Sequence, residues 1–148
     1  MKTIFPKKEL HIPKWFLFDA KGKTLGRLAT EVSKFLRGKE ISYFTPGVDL
    51  GNYVIIINAN QINVTGKKEI QKLYYRNSQT PGNLKIETFK DLKNRIPTRI
   101  LERAIWGMLP KGVLGRQYYR RLYVYESDNI LYAKGNSNEI LKEWIQIN

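Results

Sequence analysis

The stretch that decides the fold is Tyr53-Val54-Ile55-Ile56-Ile57-Asn58, because it holds an unbroken run of apolar, β-branched residues. Such a run is typical of a strand covered on both faces, as in the parallel sheets of α/β proteins. It is also the longest apolar run in the chain and is far shorter than the roughly 20 residues that a membrane span needs. We therefore expect a buried central strand and no membrane-spanning segment.

Upstream of this strand, the pattern predicts a strand, a turn and a helix. Residues 15–18 are wholly apolar, and residues 19–22 have the composition of a turn. Thr24 is placed to cap a helix over residues 25–36, whose apolar residues recur three and four positions apart, and Gly38 would end it. Downstream, the sequence predicts short strands at 62–64, 73–76 and 122–125, a polar loop at 77–83, and helices at 88–95, Pro97–Met108 and 114–121.

Strands therefore alternate with helices, which predicts the α/β class. We expect a three-layer domain with a small, mostly parallel central sheet flanked by helices. A chain of 148 residues is long enough to form one hydrophobic core and too short to form two stable domains of ordinary size. Residues 15–125 would form this single domain, residues 1–14 a basic extended N-terminal arm, and residues 126–148 a divergent acidic C-terminal tail.

The charge of the chain indicates a polyanionic partner. There are 26 Lys and Arg residues against 13 Asp and Glu, which gives a formal charge of +13 and a pI near 9.9. Residues 1–121 hold 24 basic and 9 acidic side chains, whereas residues 122–148 hold 2 and 4. Because solubility does not require so large a surplus, we expect a nucleic-acid surface located before the tail.

The chain contains few residues of the types that catalysis and metal binding require. The chain has no cysteine and a single histidine, which excludes thiolate zinc sites, disulfides, Cys–His nucleophilic pairs and His-rich metal clusters. That histidine, His11, lies in a Lys- and Pro-rich segment, a poor place for a positioned base. We therefore predict no enzyme activity, no catalytic residue, no metal and no cofactor.

One motif leaves an enzymatic alternative open. Gly22-Lys23-Thr24 between a strand and a helix matches the end of the phosphate-binding loop of nucleotide hydrolases. The full motif needs a glycine five positions before Gly22, where this chain has Leu17 inside the predicted strand. A nucleotide-dependent enzyme or regulator is the rival hypothesis. A more limited interpretation is that the helix N-terminus, with Lys23 and Arg27 nearby, binds a single backbone phosphate of a nucleic acid.

Residues 103–125 carry the strongest RNA signal. Gly112 and Gly115 would let the backbone approach a bound molecule closely. Tyr118 and Tyr119 adjoin arginines, as stacking on unpaired bases requires, and we expect one to be buried and one exposed. Trp106 lies off the apolar stripe of its helix and is interpreted as packing. The segment contains no acid and five basic residues, Arg103, Lys111, Arg116, Arg120 and Arg121.

A second cluster combines Lys67, Lys68, Lys72 and Arg76 with Tyr74 and Tyr75. It includes an acidic residue, Glu69, so its composition fits an RNA surface and an ordinary solvated surface equally well.

Four stretches in order resemble the bacterial and organellar branch of the family of ribosomal protein thirteen of the large subunit. They are residues 19–30 (Asp-Ala-Lys-Gly-Lys-Thr-Leu-Gly-Arg-Leu-Ala-Thr), 36–39 (Leu-Arg-Gly-Lys), 43–46 (Tyr-Phe-Thr-Pro) and 107–116 (Gly-Met-Leu-Pro-Lys-Gly-Val-Leu-Gly-Arg). The last stretch is the most specific, and the resemblance spans about residues 15–125.

This resemblance implies a structural protein packed on large-subunit ribosomal RNA, present early in assembly and without catalytic activity. Its partners would be that RNA and neighbouring large-subunit proteins, with no membrane and no small-molecule substrate. Carried over by position, the RNA-facing candidates are Lys23, Thr24, Arg27, Arg37, Lys39, Tyr43, Thr45, Lys67, Lys111, Arg116, Arg120 and Arg121; the stacking argument adds Tyr119.

The chain departs from the family pattern at several places. Gly47 replaces a usual histidine and Asn52 a common aspartate, which puts the contacts of that loop in doubt. The loop at 77–83 lacks the usual histidine and second glycine, and residues 126–134 replace a His-Pro-rich ending. We expect the tail to meet a different surface, such as a neighbouring protein.

The expected location is the ribosome. High Ile, Asn and Lys usage, with 17 Lys against 9 Arg, suggests an AT-rich genome, and the start of the sequence has no apolar leader. Together these features favour an organelle, preferably a plastid, or a bacterial cytoplasm. A free RNA-binding regulator is a further alternative, which co-sedimentation with ribosomes at high salt would distinguish from an integral component.

Overall fold

The computed structural model describes residues 5–128 and 145–147. In this part of the chain no helix is both long and apolar enough to cross a membrane. Two 3-10 turns, at Lys8–Leu10 and Ala59–Gln61, accompany the regular elements. These elements are β1 (Trp15–Asp19), α1 (Leu25–Arg37), β2 (Tyr53–Ile57), α2 (Lys68–Gln71), β3 (Leu73–Asn77), β4 (Leu84–Thr88), α3 (Phe89–Arg95), α4 (Pro97–Met108), α5 (Val113–Tyr119), β5 (Leu122–Val124) and β6 (Ile145–Ile147).

The main sheet has four parallel strands in the order β5-β2-β1-β6. Phe16 of β1 lies beside Val54 of β2, which in turn lies beside Leu122 of β5. Helices α1, α4 and α5 are the main helical elements around it. The predicted α/β class, with a small and mostly parallel sheet flanked by helices, is confirmed.

The core explains why β2 carries so apolar a sequence. Phe18, Val54 and Ile56 point to the face where α1 packs against α4, and all three are fully buried. Ile55 and Ile57, on the opposite face of β2, are also buried. The central strand is therefore covered on both faces, as its sequence predicted.

Helix α1 ends where the sequence predicted. Gly38 adopts the left-handed conformation with φ of 71°, and the backbone amides of Gly38 and Lys39 donate to carbonyl groups of the last turn. A Cβ atom at Gly38 would overlap the carbonyl oxygen of Leu50. Glycine is required here for two independent reasons, a left-handed backbone and a close approach by a neighbouring segment.

Helices α3 and α4 also follow their sequence signals. The Thr88 hydroxyl oxygen accepts a hydrogen bond from the Asp91 backbone amide at 3.2 Å, so Thr88 is the N-cap of α3. Pro97 occupies the first turn of α4, where its missing amide hydrogen has no cost. Ile100, Leu101 and Ile105 are fully buried on the inner face of α4.

Three details differ from the sequence predictions. Residues 62–64 form no strand, because only Asn63 pairs with Thr24 in an isolated parallel bridge. The predicted strand at 73–76 does form, but it joins β4 in a separate antiparallel hairpin instead of the main sheet. The strand β4 and the one-turn helix α2 were not predicted. The alternation of apolar and polar residues in Leu84-Lys85-Ile86-Glu87-Thr88 was the available strand signal.

Strand β6 extends the sheet beyond the predicted domain boundary at residue 125. Ile145 lies beside Phe16 and Ile147 beside Phe18, both in parallel register. The rest of the predicted tail, apart from residues 126–128, lies outside the described residues. Within the predicted arm, residues 5–14 contain only the 3-10 turn at Lys8–Leu10 as regular structure.

The departure at Asn52 has a clear physical basis. This side chain is 1% exposed, and its amide group donates to Glu40 Oε1 at 2.5 Å and to the Phe35 carbonyl oxygen at 3.4 Å. Its carbonyl oxygen accepts a hydrogen bond from the Lys14 backbone amide at 3.0 Å. Two acceptors face the nitrogen and one donor faces the oxygen, so an amide fits this position and a carboxylate does not.

Asn52→Asp is therefore expected to destabilise the protein by about 3 kcal/mol above neutral pH, because burial raises the pKa of Glu40 to about 7 and its ionised carboxylate would then face the new one with neither group able to donate. The measurement is the urea midpoint of the purified chain. Adding Glu40→Gln should recover more than half of the loss, since a glutamine amide can donate to the new carboxylate. Glu40→Gln alone should change the midpoint little. A wild-type midpoint for Asn52→Asp would contradict this account of the loop.

Candidate nucleic-acid interface

The N-terminal end of α1 opens into a cleft of about 510 Å³. Thr24, Lys68 and Lys72 are among the residues that line it, and Lys67 is exposed immediately before α2. The first turn of α1 has no acidic side chain, so the partial positive charge of the helix end is not neutralised locally. Cationic side chains around a helix N-terminus favour an anion such as a phosphate group.

Thr24 occupies the predicted N-cap position but does not cap the helix with its side chain. Its hydroxyl oxygen is buried without a hydrogen-bond partner among the described residues. Lys23 is partly exposed beside it, and Arg27 is exposed on the first turn of α1. The predicted residues Lys23, Thr24, Arg27 and Lys67 therefore lie near one end of one helix.

The turn before α1 does not resemble a nucleotide cradle. Its backbone amides are already used within the protein: Lys21 donates to Asp19 Oδ1 at 2.9 Å, Gly22 to the Gln61 carbonyl at 3.2 Å, and Lys23 to the Ala20 carbonyl at 3.2 Å. A phosphate-binding loop needs these amides free to surround the phosphates. The geometry gives no support to the nucleotide-dependent rival.

A second set of predicted residues lies at the other end of α1. Arg37 is partly exposed, with its guanidinium 6.0 Å from the centre of the Phe44 ring. Lys39 is exposed, Tyr43 is 46% exposed, and the partly exposed Thr45 donates weakly to the Tyr43 carbonyl at 3.4 Å. A helix of 13 residues is about 20 Å long, so this set is well separated from the cleft at the N-terminal end.

Helix α5 carries the third set. Arg116 and Arg120 are both exposed, and their spacing of four residues places them on one face, one turn apart. Neither guanidinium is hydrogen-bonded or ion-paired within residues 5–128. The Tyr118 hydroxyl connects α5 to the loop after α1 by a long hydrogen bond to the Val48 carbonyl at 3.5 Å. The second and third sets are therefore neighbours.

The two adjacent tyrosines divide as expected. Tyr118 is 2% exposed and belongs to the core, whereas Tyr119 is partly exposed and its ring lies 5.1 Å from that of Trp106. Burial raises the pKa of both hydroxyl groups, so both are neutral donors at physiological pH. Only Tyr119 offers a surface to a partner.

Arg121, although it was predicted to face RNA, points into the protein. Its guanidinium donates to both carboxylate oxygens of Asp49, at 2.8 and 2.6 Å, and to the Gly51 carbonyl oxygen at 2.7 Å. The side chain of Arg121 is 17% exposed and that of Asp49 is 3% exposed. This geometry favours a structural role for Arg121, which fastens β5 to the loop before β2.

The surroundings of Asp49 keep this pair charged. Burial alone would raise the pKa of Asp49, but hydrogen bonds and charge from Arg121 outweigh burial and hold it below its ordinary value. Lys8 adds an ion pair at 3.4 Å from the N-terminal arm. Burial and the Arg121 charge lower the pKa of nearby His11, which is therefore neutral at physiological pH.

Two glycines interpreted as approach points for a bound molecule have different surroundings. A Cβ atom at Gly115 would overlap the carbonyl oxygen of Pro110, so this glycine allows α5 to pack on its own chain. At Gly112 a Cβ atom would meet nothing within 4 Å. The prediction for Gly115 is thus corrected: its small size serves internal packing.

Lys68 and Lys72 belong to the second basic cluster, for which the sequence left an RNA surface and a solvated surface equally open, whereas Arg99 was not singled out. Lys68 and Lys72 line the cleft at α1, and Arg99 and Trp106 line an open cavity between α4 and α5. Lys68 and Lys72 had a visible signal, the basic cluster around residue 70. Trp106 also had one, since it lies off the apolar stripe of α4 and is 36% exposed.

Residues 5–128 and 145–147 contain no cluster of three or more His, Asp or Glu side chains that could hold a metal ion. Lysine, arginine and aromatic side chains recur in the linings of three cavities in this part of the chain, beside apolar residues and two carboxylates, Glu87 and Glu102, which are paired with Arg95 and Arg99. The basic and aromatic side chains are suited to binding phosphates and bases.

Comparison with known proteins gives a consistent result. The family model for ribosomal protein L13 matches residues 13–130. The large ribosomal subunit protein uL13 of Prochlorococcus marinus is 50% identical over 148 residues, covering 95% of this chain and 99% of the relative. The same protein of Crocosphaera subtropica is 53% identical over 128 residues, covering 86% and 85%, and that of Agathobacter rectalis is 51% identical over 125 residues, covering 84% and 88%.

Most of the similar proteins are cyanobacterial, which fits the predicted plastid or bacterial origin. The identity is far above the level at which fold and family become ambiguous, and it extends over most of the chain and of each relative. The chain belongs to the ribosomal protein L13 family.

Proposed function

We propose that this chain is a structural component of the large ribosomal subunit that binds large-subunit ribosomal RNA and supports subunit assembly. The observation that carries the proposal is the family match over residues 13–130, since the similar proteins are named as large-subunit proteins. The net charge of +13 supplies the attraction for RNA that this role requires. Neighbouring large-subunit proteins would be its other partners.

The proposed RNA contacts fall into two areas of the surface. One is the N-terminal end of α1, where Thr24 and Lys68 line the cleft and Lys23, Arg27 and Lys67 lie close to them in sequence. The other combines the loop after α1 with α5 and contains Arg37, Lys39, Tyr43, Thr45, Arg116 and Arg120. Lys111 and Tyr119, which both lie beside Trp106 of α4, are proposed as further contacts. Side chains of this kind bind phosphates and stack on bases, so RNA would be recognised mainly by its shape.

Separation between the two areas suggests how the protein would act in assembly. Cations about 20 Å apart on one rigid domain can hold two RNA segments at a fixed distance. Arg121 has a different task in this proposal, because its pairing with Asp49 stabilises the domain that carries the contacts.

Sedimentation of a native lysate in a sucrose gradient at high salt tests the proposal. Salt weakens phosphate contacts steeply, so only a component held by many of them should remain with the large subunit. We expect the chain to co-sediment with that subunit. A chain that leaves the subunit at high salt but binds RNA at low salt would be a free RNA-binding regulator, and one found only at the top of the gradient would contradict both ideas.

A further inference from the structure

An open cavity of about 410 Å³ lies on the outer side of α4, away from the core. Arg99, Arg103 and Trp106 lie on one face of α4 at spacings of four and three residues, opposite the buried Ile100 and Ile105. Tyr119 of α5 completes the wall of the cavity. The aromatic rings thus stand on two helices that the core holds in place.

The two rings form an ordered platform. Their centroids are 5.1 Å apart with an interplanar angle of 66°, so the ring of Tyr119 and the indole meet edge to face. Trp106 remains 36% exposed in this arrangement. An exposed tryptophan whose ring is held by a second ring offers a flat apolar surface on which a planar partner can stack.

Cations surround this platform. The Lys111 ammonium lies 5.8 Å from the centre of the Trp106 ring, and Arg99 and Arg103 line the same cavity. The one carboxylate in the lining, Glu102, is already 3.6 Å from the Arg99 guanidinium. The cavity therefore combines a flat ring with a net positive surface, which is the chemistry that binds a nucleotide of single-stranded RNA.

We infer that this cavity, lined by Arg99, Glu102, Arg103, Trp106 and Tyr119, captures one unpaired RNA base, which stacks on Trp106 while Lys111 and the arginines neutralise the adjoining phosphates. The inference rests on the proposed function and specifies one kind of RNA contact within it. An acidic protein segment could pair with the cations but would not need the exposed ring. An apolar protein surface would have to desolvate three cations.

Binding of a labelled hexa-adenylate RNA to the purified full chain tests this inference, with fluorescence anisotropy at one fixed salt concentration as the readout. Trp106→Leu should weaken binding roughly 5- to 150-fold, the range that one base–aromatic stack accounts for. Trp106→Phe keeps a flat ring and should lose less. The matched control is Tyr123→Leu, which removes a 39% exposed ring from β5, outside the proposed contacts, and should leave affinity unchanged.

A second probe separates stacking from phosphate attraction. A hexanucleotide with the same backbone but no bases should bind the wild-type chain about as weakly as Trp106→Leu binds hexa-adenylate. Equal affinity of Trp106→Leu and wild type for hexa-adenylate would overturn the inference. So would equal losses in Trp106→Leu and Tyr123→Leu, since the effect would then not be specific to this cavity.

Ultraviolet cross-linking of purified large subunits distinguishes this inference from the proposed function. We expect the peptide containing Trp106 or Tyr119 to carry a ribonucleotide. If the chain is in the subunit but this peptide cross-links to a protein instead, the base-stacking inference fails and the ribosomal role stands. If the chain is absent from the subunits, the ribosomal role fails, and the hexanucleotide measurements alone decide whether the cavity stacks a base.

Discussion

Replacing Arg116 and Arg120 together by glutamate is expected to abolish incorporation of this chain into the large ribosomal subunit and to leave its fold intact. Both side chains are exposed on one face of α5, and neither guanidinium has a partner within residues 5–128. The double change replaces two attractive charges by two repulsive ones at a surface proposed to face phosphates. Phosphate contacts dominate the affinity of RNA-binding proteins, so this loss should be large.

The measurement is the share of the variant that co-sediments with large subunits when it is expressed beside the wild-type protein. Lys85→Glu with Lys90→Glu makes an equal change of charge at two exposed lysines outside the proposed surface, and this control should incorporate normally. Circular dichroism and a urea midpoint would establish that both variants fold. Normal incorporation of a folded Arg116, Arg120 variant would refute the role given to these two arginines.

Arg121→Met should destabilise the chain by about 3 kcal/mol, in contrast to the changes on α5. The substitution removes three hydrogen bonds and leaves the carboxylate of Asp49, 3% exposed, with the ion pair to Lys8 and a long hydrogen bond from the Gly51 backbone amide at 3.3 Å. Breaking a buried pair by removing one partner is strongly destabilising because the remaining charge is uncompensated. The urea midpoint of the purified chain measures the loss.

A double variant with Asp49→Asn and Arg121→Met tests the cause. Removal of the Asp49 charge should restore a large part of the stability lost in Arg121→Met. If that loss came only from side-chain packing, the second substitution would not restore it. An unchanged urea midpoint for Arg121→Met, together with failure of this variant to enter the large subunit, would instead favour the prediction from the sequence that Arg121 contacts RNA.

Short-range sequence patterns were sufficient to predict most strands of the main sheet and the helices that pack on it. The apolar run at Tyr53–Ile57 and the helical spacing after Thr24 placed β2 and α1 within one residue of their observed ends. Pro97 marked the start of α4 in the same way. The family match confirmed the resemblance to ribosomal protein thirteen of the large subunit that the sequence motifs had indicated. Membership of this family also confirmed the prediction that the chain is not an enzyme.

Other features depend on partners that are distant in sequence. Arg121 meets Asp49 across 72 positions, and no local pattern distinguishes an arginine that turns inward from one that faces RNA. Asn52 depends in the same way on Glu40 and Phe35, which come from a preceding helix and loop. Trp106 was interpreted as packing because large aromatic residues are usually buried; it does contact Tyr119, but its place on α4 leaves 36% of it exposed, and the base-stacking proposal rests on that exposure.

Strand β6 has a consequence for the order of events during synthesis. Phe16 lies beside Ile145, which follows it by 129 positions, so β1 is an open edge until nearly the whole chain has been translated. Unpaired strand edges favour pairing with other chains, and contacts between distant residues form slowly. Synthesis of residues 145–147 therefore completes the protection of the first strand, and deletion of these residues should promote aggregation of newly made chains.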